Sequence, residues 1–345
     1  MPEQVRVGII GCGRMGARHV ETAERLDSLQ VVAVADADET AARECVGRRP
    51  IDMLSDWHAL LERDDVDAVT VATPSELHAE MGLAALDAGK HVLVEKPLAT
   101  TMPDALRLAG AARTAGRKLM VGHVERFNPA VGKVAALVAE GRVGQVFRAH
   151  AERVGPLPAR IRDAGVAIDL ATHDLDIMQH VLAHDITHVY AEGARFSHAT
   201  DEDMLTCLLR FGDDGPYGLL DVNWLTPEKR RELTILGEGG MLRASYLTQE
   251  VWFTESAGLF TAWDELARVR GDAEGSVLRF ALPKREPLRA ELEAWAQCVL
   301  EDGPEPVSAW EGARALAAAL AVRESAAHCR PVELLDMPHA PSPSR

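Results

Sequence analysis

Gly11-Cys12-Gly13-Arg14-Met15-Gly16 follows an apolar run (Val5, Val7, Ile9, Ile10) and opens a helical stretch, and Asp36 stands twenty positions after the last glycine. The first glycine lets the chain turn sharply off a buried strand, the second lets backbone approach a ligand closely, and the third lets the next helix pack on the strand. The open N–H groups and dipole at that helix start favour a doubly negative group. A second strand, Val31–Ala35, delivers Asp36 at its end. A carboxylate there accepts both hydroxyls of a ribose and repels a 2′-phosphate. The pattern therefore predicts a βαβ unit that holds NAD in preference to NADP. With 27 glycines in the chain, the glycine spacing alone is weak; the strand, the helix and the acid at the right distance make it specific.

The same alternation continues. Ser55 is placed to cap a helix through Leu61, Asp67–Thr73 reads as a strand, and Ser75 is placed to cap a helix to Ala88. His91–Val94 and Lys118–Gly122 read as further strands around a helix from Pro103 to near Gly116. These units predict a doubly wound parallel sheet of the Rossmann type over residues 1–122, in the α/β class. Ligands on such sheets bind beyond the carboxyl ends of the strands, where Thr73 and Pro74, and Glu95, Lys96 and Pro97, are found.

After residue 123 the rhythm changes. A helix near Ala130–Glu140, a strand near Gln145–Val154 and a helix from Ile168 to Leu182 precede strands at Thr187–Phe196, Met204–Phe211 and Tyr217–Trp224. More strands bracket Glu238-Gly239-Gly240, and helices at Leu288–Leu300 and Trp310–His328 finish the pattern. The expectation is a second, α+β domain over 123–330 with an open, mainly antiparallel sheet. One face of that sheet is left to bury against another subunit, so a homodimer or homotetramer is expected. Residues 331–345 read as a tail, mobile at its end.

At 345 residues the chain is too long for one ordinary core. Its formal charge of −16 disfavours nucleic acid and anionic membranes as partners, and no apolar run approaches the roughly 18 residues of a membrane span. Five scattered cysteines without a C-x-x-C pair predict reduced thiols and no structural zinc. The first strand begins at Val5, which leaves no room for a signal peptide. A cytoplasmic protein is expected.

Moving a hydride from a carbinol to NAD requires a held cofactor, an oriented alcohol and a base for the hydroxyl proton. Lys96, in Glu95-Lys96-Pro97, is placed to hydrogen-bond the reacting hydroxyl and favour a developing alkoxide. A solvated lysine beside a proline-terminated strand is the competing reading. Asp169 and His173 lie four apart on a helix and share a face, with Asp176 at i+7. Such a histidine shuttles a proton near neutral pH; the bland alternative is a capped, salt-bridged helix. No third ligand accompanies the pair, so no metal is expected.

Taken together, the glycine fingerprint, Ala72-Thr73-Pro74-Ser75 with His78, Glu95-Lys96-Pro97, the Asp169/His173 helix and Ile235–Leu242 resemble the Gfo/Idh/MocA oxidoreductase family over nearly the whole chain. The resemblance implies that Lys96 and His173 form a catalytic pair with Asp169 beside them. It also implies that Glu95 sits near the nicotinamide ribose, and Thr73 and His78 near the cofactor. The cofactor set is then Gly11, Cys12, Gly13, Arg14, Met15, Gly16, Asp36, Thr73, Pro74, His78, Glu95 and Lys96.

From Arg126 to Arg162, seven basic residues (Arg126, Lys133, Arg142, Arg148, Arg153, Arg160, Arg162) face two acidic ones, Glu140 and Glu152. Arginine clusters suit phosphate recognition, which points to an anionic sugar substrate; salt bridging on a sheet face explains the cluster equally well. Val121–Pro129 and Val154–Asp163 resemble the subgroup of the family that oxidises UDP-N-acetylglucosamine at C3. That resemblance implies substrate contact by Arg126, Asn128, Arg160 and Arg162. An inositol or sugar-phosphate dehydrogenase, and a non-catalytic NAD-binding sensor, remain as alternatives.

Overall fold

The computed structural model describes residues 4–157, 165–198, 200–256 and 275–334. The described residues of Met1–Phe127 and Glu286–Leu316 form one compact unit, and those of Asn128–Arg285 and Ala317–Pro338 form a second.

In the first unit six parallel strands, β1 (Val5–Ile10), β2 (Leu29–Ala35), β3 (Asp52–Leu54), β4 (Ala68–Val71), β5 (His91–Glu95) and β6 (Leu119–Gly122), lie in the order β3-β2-β1-β4-β5-β6. Helices α1 (Arg14–Ala23), α2 (Glu39–Val46), α3 (Trp57–Leu61), α4 (His78–Asp87) and α5 (Met102–Ala115) connect them. β4 and β6 are buried at every position, as befits strands covered on both faces. The order reverses between β1 and β4, which opens a crevice at their carboxyl ends.

Local chemistry sets the element ends, in places differently from the sequence expectation. Asp56, not Ser55, caps α3 by accepting the His58 N–H, since the helix starts one residue later. Ser75 opens a single 3-10 turn, Ser75–Leu77, and α4 begins only at His78. β4 stops at Val71, so Ala72, Thr73 and Pro74 leave the sheet and border the crevice instead. Thr101 caps α5 and Gly116 ends it in the left-handed region. The sequence reading missed β3 because three residues carry no periodicity; only pairing with β2 defines it.

The second unit contains α6 (Pro129–Ala139), β7 (Val146–Pro156), a π-helical segment (Ala167–Ala171), α7 (Thr172–Leu182), β8 (Ile186–Ala194), β9 (Met204–Phe211), β10 (Tyr217–Asn223), β11 (Leu225–Gly237), β12 (Gly240–Ser245), β13 (Glu250–Glu255), β14 (Val277–Phe280) and, late in the chain, β15 (Val332–Glu333). Among the described residues its nine strands run β14-β13-β12-β11-β7-β10-β9-β8-β15, and only β7–β10 is a parallel pair. Leu205, Cys207, Leu209 and Phe211 alternate into the core along β9, and Met204, Thr206 and Leu208 face outward. The protein is thus a Rossmann unit plus a unit built on an open, mainly antiparallel sheet.

Two helices follow, α8 (Pro287–Leu300) and α9 (Ala309–His328). The sequence reading assigned both to a continuous second domain over 123–330. The structure instead sends α8 and the start of α9 back to the first unit, and the division falls within α9 after Leu316. There the Val121 N–H donates to the Val307 carbonyl and Met120 bridges Ser308, adding an edge to β6. No helix among the described residues is long and apolar enough to cross a membrane, and all five cysteines are free thiols.

Candidate active site

A cavity of about 850 Å³ opens at the carboxyl ends of β1, β2 and β4 in the first unit. Ile10, Gly11, Gly13 and Met15 form one side, Ala35 and Asp36 the next, and Ala72, Thr73 and Pro74 the third. Gly11 has φ +94°, and a Cβ there would stand 2.7 Å from the Ala72 carbonyl oxygen, so only glycine fits. A Cβ on Gly16 would meet the Gly11 oxygen at 1.8 Å, which shows how closely α1 packs on the turn. Gly13 faces open space and supplies no side-chain cap to α1. The first turn of α1 therefore presents N–H groups to an anion.

Asp36 is held by backbone. Its Oδ2 accepts the Cys12 N–H at 2.6 Å and its Oδ1 the Asp38 N–H at 2.9 Å. An aimed carboxylate at the end of β2, an open glycine at a helix start and a cavity of this size fit a dinucleotide with a free ribose 2′-hydroxyl. Of the residues expected at the cofactor, Gly11, Gly13, Met15, Asp36, Thr73 and Pro74 line this cavity. Cys12 and Gly16 lie behind it, one bonded to Asp36 and the other packed on Gly11. The sequence reading missed Asp38, Ser55, Trp57, Leu77 and Met81, which also line it. Ser55 and Trp57 follow β3, the strand that went unrecognised.

His78 is buried and joins two strand ends: Nδ1 lies 2.7 Å from the Pro97 carbonyl and Nε2 3.0 Å from that of Thr73. It thus ties the segment carrying Thr73 to the one carrying Lys96. Glu95, the last residue of β5, is buried with its Oε1 2.8 Å from His19 Nε2 on α1, and its Oε2 accepts the Lys96 N–H at 3.3 Å. Burial pushes the Glu95 carboxyl up, but the bond to His19 and the charges of His19, Lys96 and His78 hold it below the usual carboxylate range. Nothing in the sequence marked His19 as a partner, because it lies 76 residues from Glu95.

In the second unit Asp169 lies in the π segment and His173 in the first turn of α7, both half-buried. The sequence reading expected one α-helix from Ile168. The π winding widens the backbone at Asp169, and the pair straddles a π-to-α junction, an irregularity frequent at functional sites. The Glu202 carboxylate accepts the Ala167 N–H at 2.9 Å and its carbonyl accepts the Val166 N–H at 3.1 Å, capping the segment from 35 residues away. Asp174 is fully buried and takes the Arg153 guanidinium at 2.5 and 3.2 Å.

The basic run from Arg126 is less of an anion site than its count suggests. Arg126 is ion-paired with Glu311, whose carboxyl burial pushes up but Arg126 and Ser308 hold below its usual range. Arg153 is neutralised by Asp174. Lys133 and Arg142 lie over the Phe280 and Phe253 rings at 4.9 and 4.6 Å. Asn128, expected at the substrate, is 3% exposed: Oδ1 caps α6 through the Ala130 N–H, and Nδ2 donates to the Tyr246 carbonyl. Arg160 and Arg162 lie outside the described residues.

Residues 5–123 match the profile of an oxidoreductase family with an NAD-binding Rossmann fold, and residues 131–243 match that of the GFO/IDH/MocA C-terminal domain. Inositol 2-dehydrogenase 2 of Saccharopolyspora erythraea is 31% identical over 97% of this chain and 97% of its own. The UDP-N-acetylglucosamine 3-dehydrogenase GnnA of Acidithiobacillus ferrooxidans is 26% identical, with a TM-score of 0.82 over 95% of this chain and 99% of that one. The WlbA dehydrogenase of Bordetella pertussis, solved with NADH and UDP-GlcNAcA, shares the fold at 24% identity and a TM-score of 0.82, over 97% and 99% of the two chains.

Proposed function

Because the chain belongs to the Gfo/Idh/MocA family of NAD-dependent oxidoreductases, we propose that it oxidises a secondary hydroxyl of a nucleotide sugar to the ketone, at C3 of a UDP-N-acetylglucosamine-type substrate. The observation that carries this reading is the run Val121–Pro129 with Val154–Pro156, which resembles the subgroup with that activity. A 3-dehydrogenase of that sugar, alike over 95% of this chain, supports it.

In this reading NAD, when bound, would supply the acceptor for the carbinol hydride. Gly11, Gly13 and the start of α1 would hold its pyrophosphate, and Asp36 the adenosine ribose. Lys96 hydrogen-bonds the reacting hydroxyl and stabilises the alkoxide as its proton leaves. His173 takes that proton, and Asp169 favours the resulting imidazolium. The carbinol would lose two electrons with the hydride and its hydroxyl a proton to the base, which balances the ketone against a reduced cofactor.

A second reading, an inositol-type polyol, is favoured by full-length relatives that are inositol 2-dehydrogenases, and by the pairing of Arg126 with Glu311 and Arg153 with Asp174. The deciding experiment offers NAD and a panel of UDP-sugars, inositols and sugar phosphates, and follows NADH absorbance. We expect turnover with a UDP-N-acetylhexosamine. Turnover confined to inositols would replace the first reading by the second.

A further inference from the structure

Glu291, on α8, is fully buried, and neither of its carboxyl oxygens has a hydrogen-bond partner among the described residues. One helical turn on, along the same face, Trp295 is also fully buried with its Nε1 unpartnered. α8 packs on α1, on β1 and on the 3-10 turn Val124–Phe127. α1 brings His19, which is 1% exposed; its Nε2 is bound to Glu95 and its Nδ1 has no partner among the described residues. Glu95 in turn holds the backbone N–H of Lys96.

Two carboxyl groups sharing a dry interior do not both stay ionised. Their partners decide which one does. Glu95 has an N–H group at each oxygen; Glu291 has none. Burial, joined by the Glu95 charge, pushes the Glu291 carboxyl well above its usual range, while Glu95 is held below it. The other charged or titratable groups on the elements around Glu291 and Glu95 are Arg6 on β1, Arg14, Arg18, His19 and Glu21 on α1, His78 on α4, Lys96 after β5, His123 before the 3-10 turn, Glu125 and Arg126 within it, with Arg126 bound to Glu311, and Arg289 and Glu293 on α8 itself.

We propose that Glu291 is a positioning residue: a proton-bearing carboxyl that leaves one negative charge, not two, beside His19, and so keeps Glu95 in place under the backbone of Lys96. This rests on the reading that sets Glu95 beside the nicotinamide ribose and Lys96 at the reacting hydroxyl. When Glu291 ionises, two like charges meet in the interior, the His19–Glu95 bond loosens, and the backbone at Lys96 loses its acceptor.

The test compares the wild type with Glu291→Gln, and with Glu291→Leu should the amide not be accommodated. Melting is followed from about pH 5 to about pH 9. Above pH 4.5 the unfolded chain has released the proton that the folded protein keeps on Glu291, so wild-type stability falls as pH rises toward the folded value, and the variant lacks that slope. NADH affinity is titrated by fluorescence over the same range, a readout that a purely structural role would not move. It needs no sugar turnover, so it stands whatever the substrate proves to be. We expect the wild-type Kd to weaken by about threefold or more at the alkaline end, as coupled sites titrate together, and the variant to stay flat. Melting curves with the same pH slope in both proteins overturn the inference. So do NADH curves that superimpose while the melting slopes differ.

Discussion

Lys96 follows β5 directly, its backbone N–H held by Glu95, and Glu95 by His19. Its proposed role, stabilising the alkoxide, acts on the transition state more than on cofactor binding. Lys96→Met should therefore lower kcat by about 10²–10⁴-fold with a far smaller effect on NADH affinity. Steady-state kinetics beside a fluorescence titration measures both, and unchanged turnover would remove Lys96 from the mechanism. Gly11, Gly13, Gly16 and Asp36 were legible in sequence because the glycine turn and the acid after the next strand recur at fixed spacing within one βαβ unit. His19, Glu202 and Glu311 were not, because their partners Glu95, Ala167 and Arg126 lie 76, 35 and 185 residues off.

Among the elements, α6 shows a motif residue that the fold itself uses. Asn128 caps the helix and reaches the Tyr246 carbonyl 118 residues away. Asn128→Ala removes both bonds and should destabilise the protein by about 1–3 kcal/mol, read as a lower melting temperature. A substrate-contact role would instead raise KM and leave melting intact. The π segment before α7 belongs to this scale too. The i,i+4 spacing of Asp169 and His173 was visible in the sequence, but an extra residue in the turn depends on where Glu202 caps it and where Thr172 Oγ1 bonds back to the Ile168 carbonyl at 2.9 Å.

For the whole molecule, the outward face of the nine-stranded sheet is the feature that asks for an explanation. Met204, Leu208 and Tyr217 are 39, 46 and 48% exposed there, on strands β9 and β10, which sit inside the sheet and not at its edges. Apolar side chains grouped on one face mark an association surface, and we expect a homodimer or homotetramer by light scattering. Leu208→Glu should shift the mass toward the monomer; a monomeric wild type would remove the expectation. The sequence alone determined the parallel βαβ class of the first unit, the glycine turn after β1 and the acid after β2, because strand period, glycine sterics and helix ends are short-range effects. Only the tertiary structure decided that α8 returns to the first unit, that Arg126 and Arg153 meet carboxylates, and that Glu291 is buried beside Glu95. Those outcomes depend on which distant surfaces exclude water together, and no local pattern encodes that.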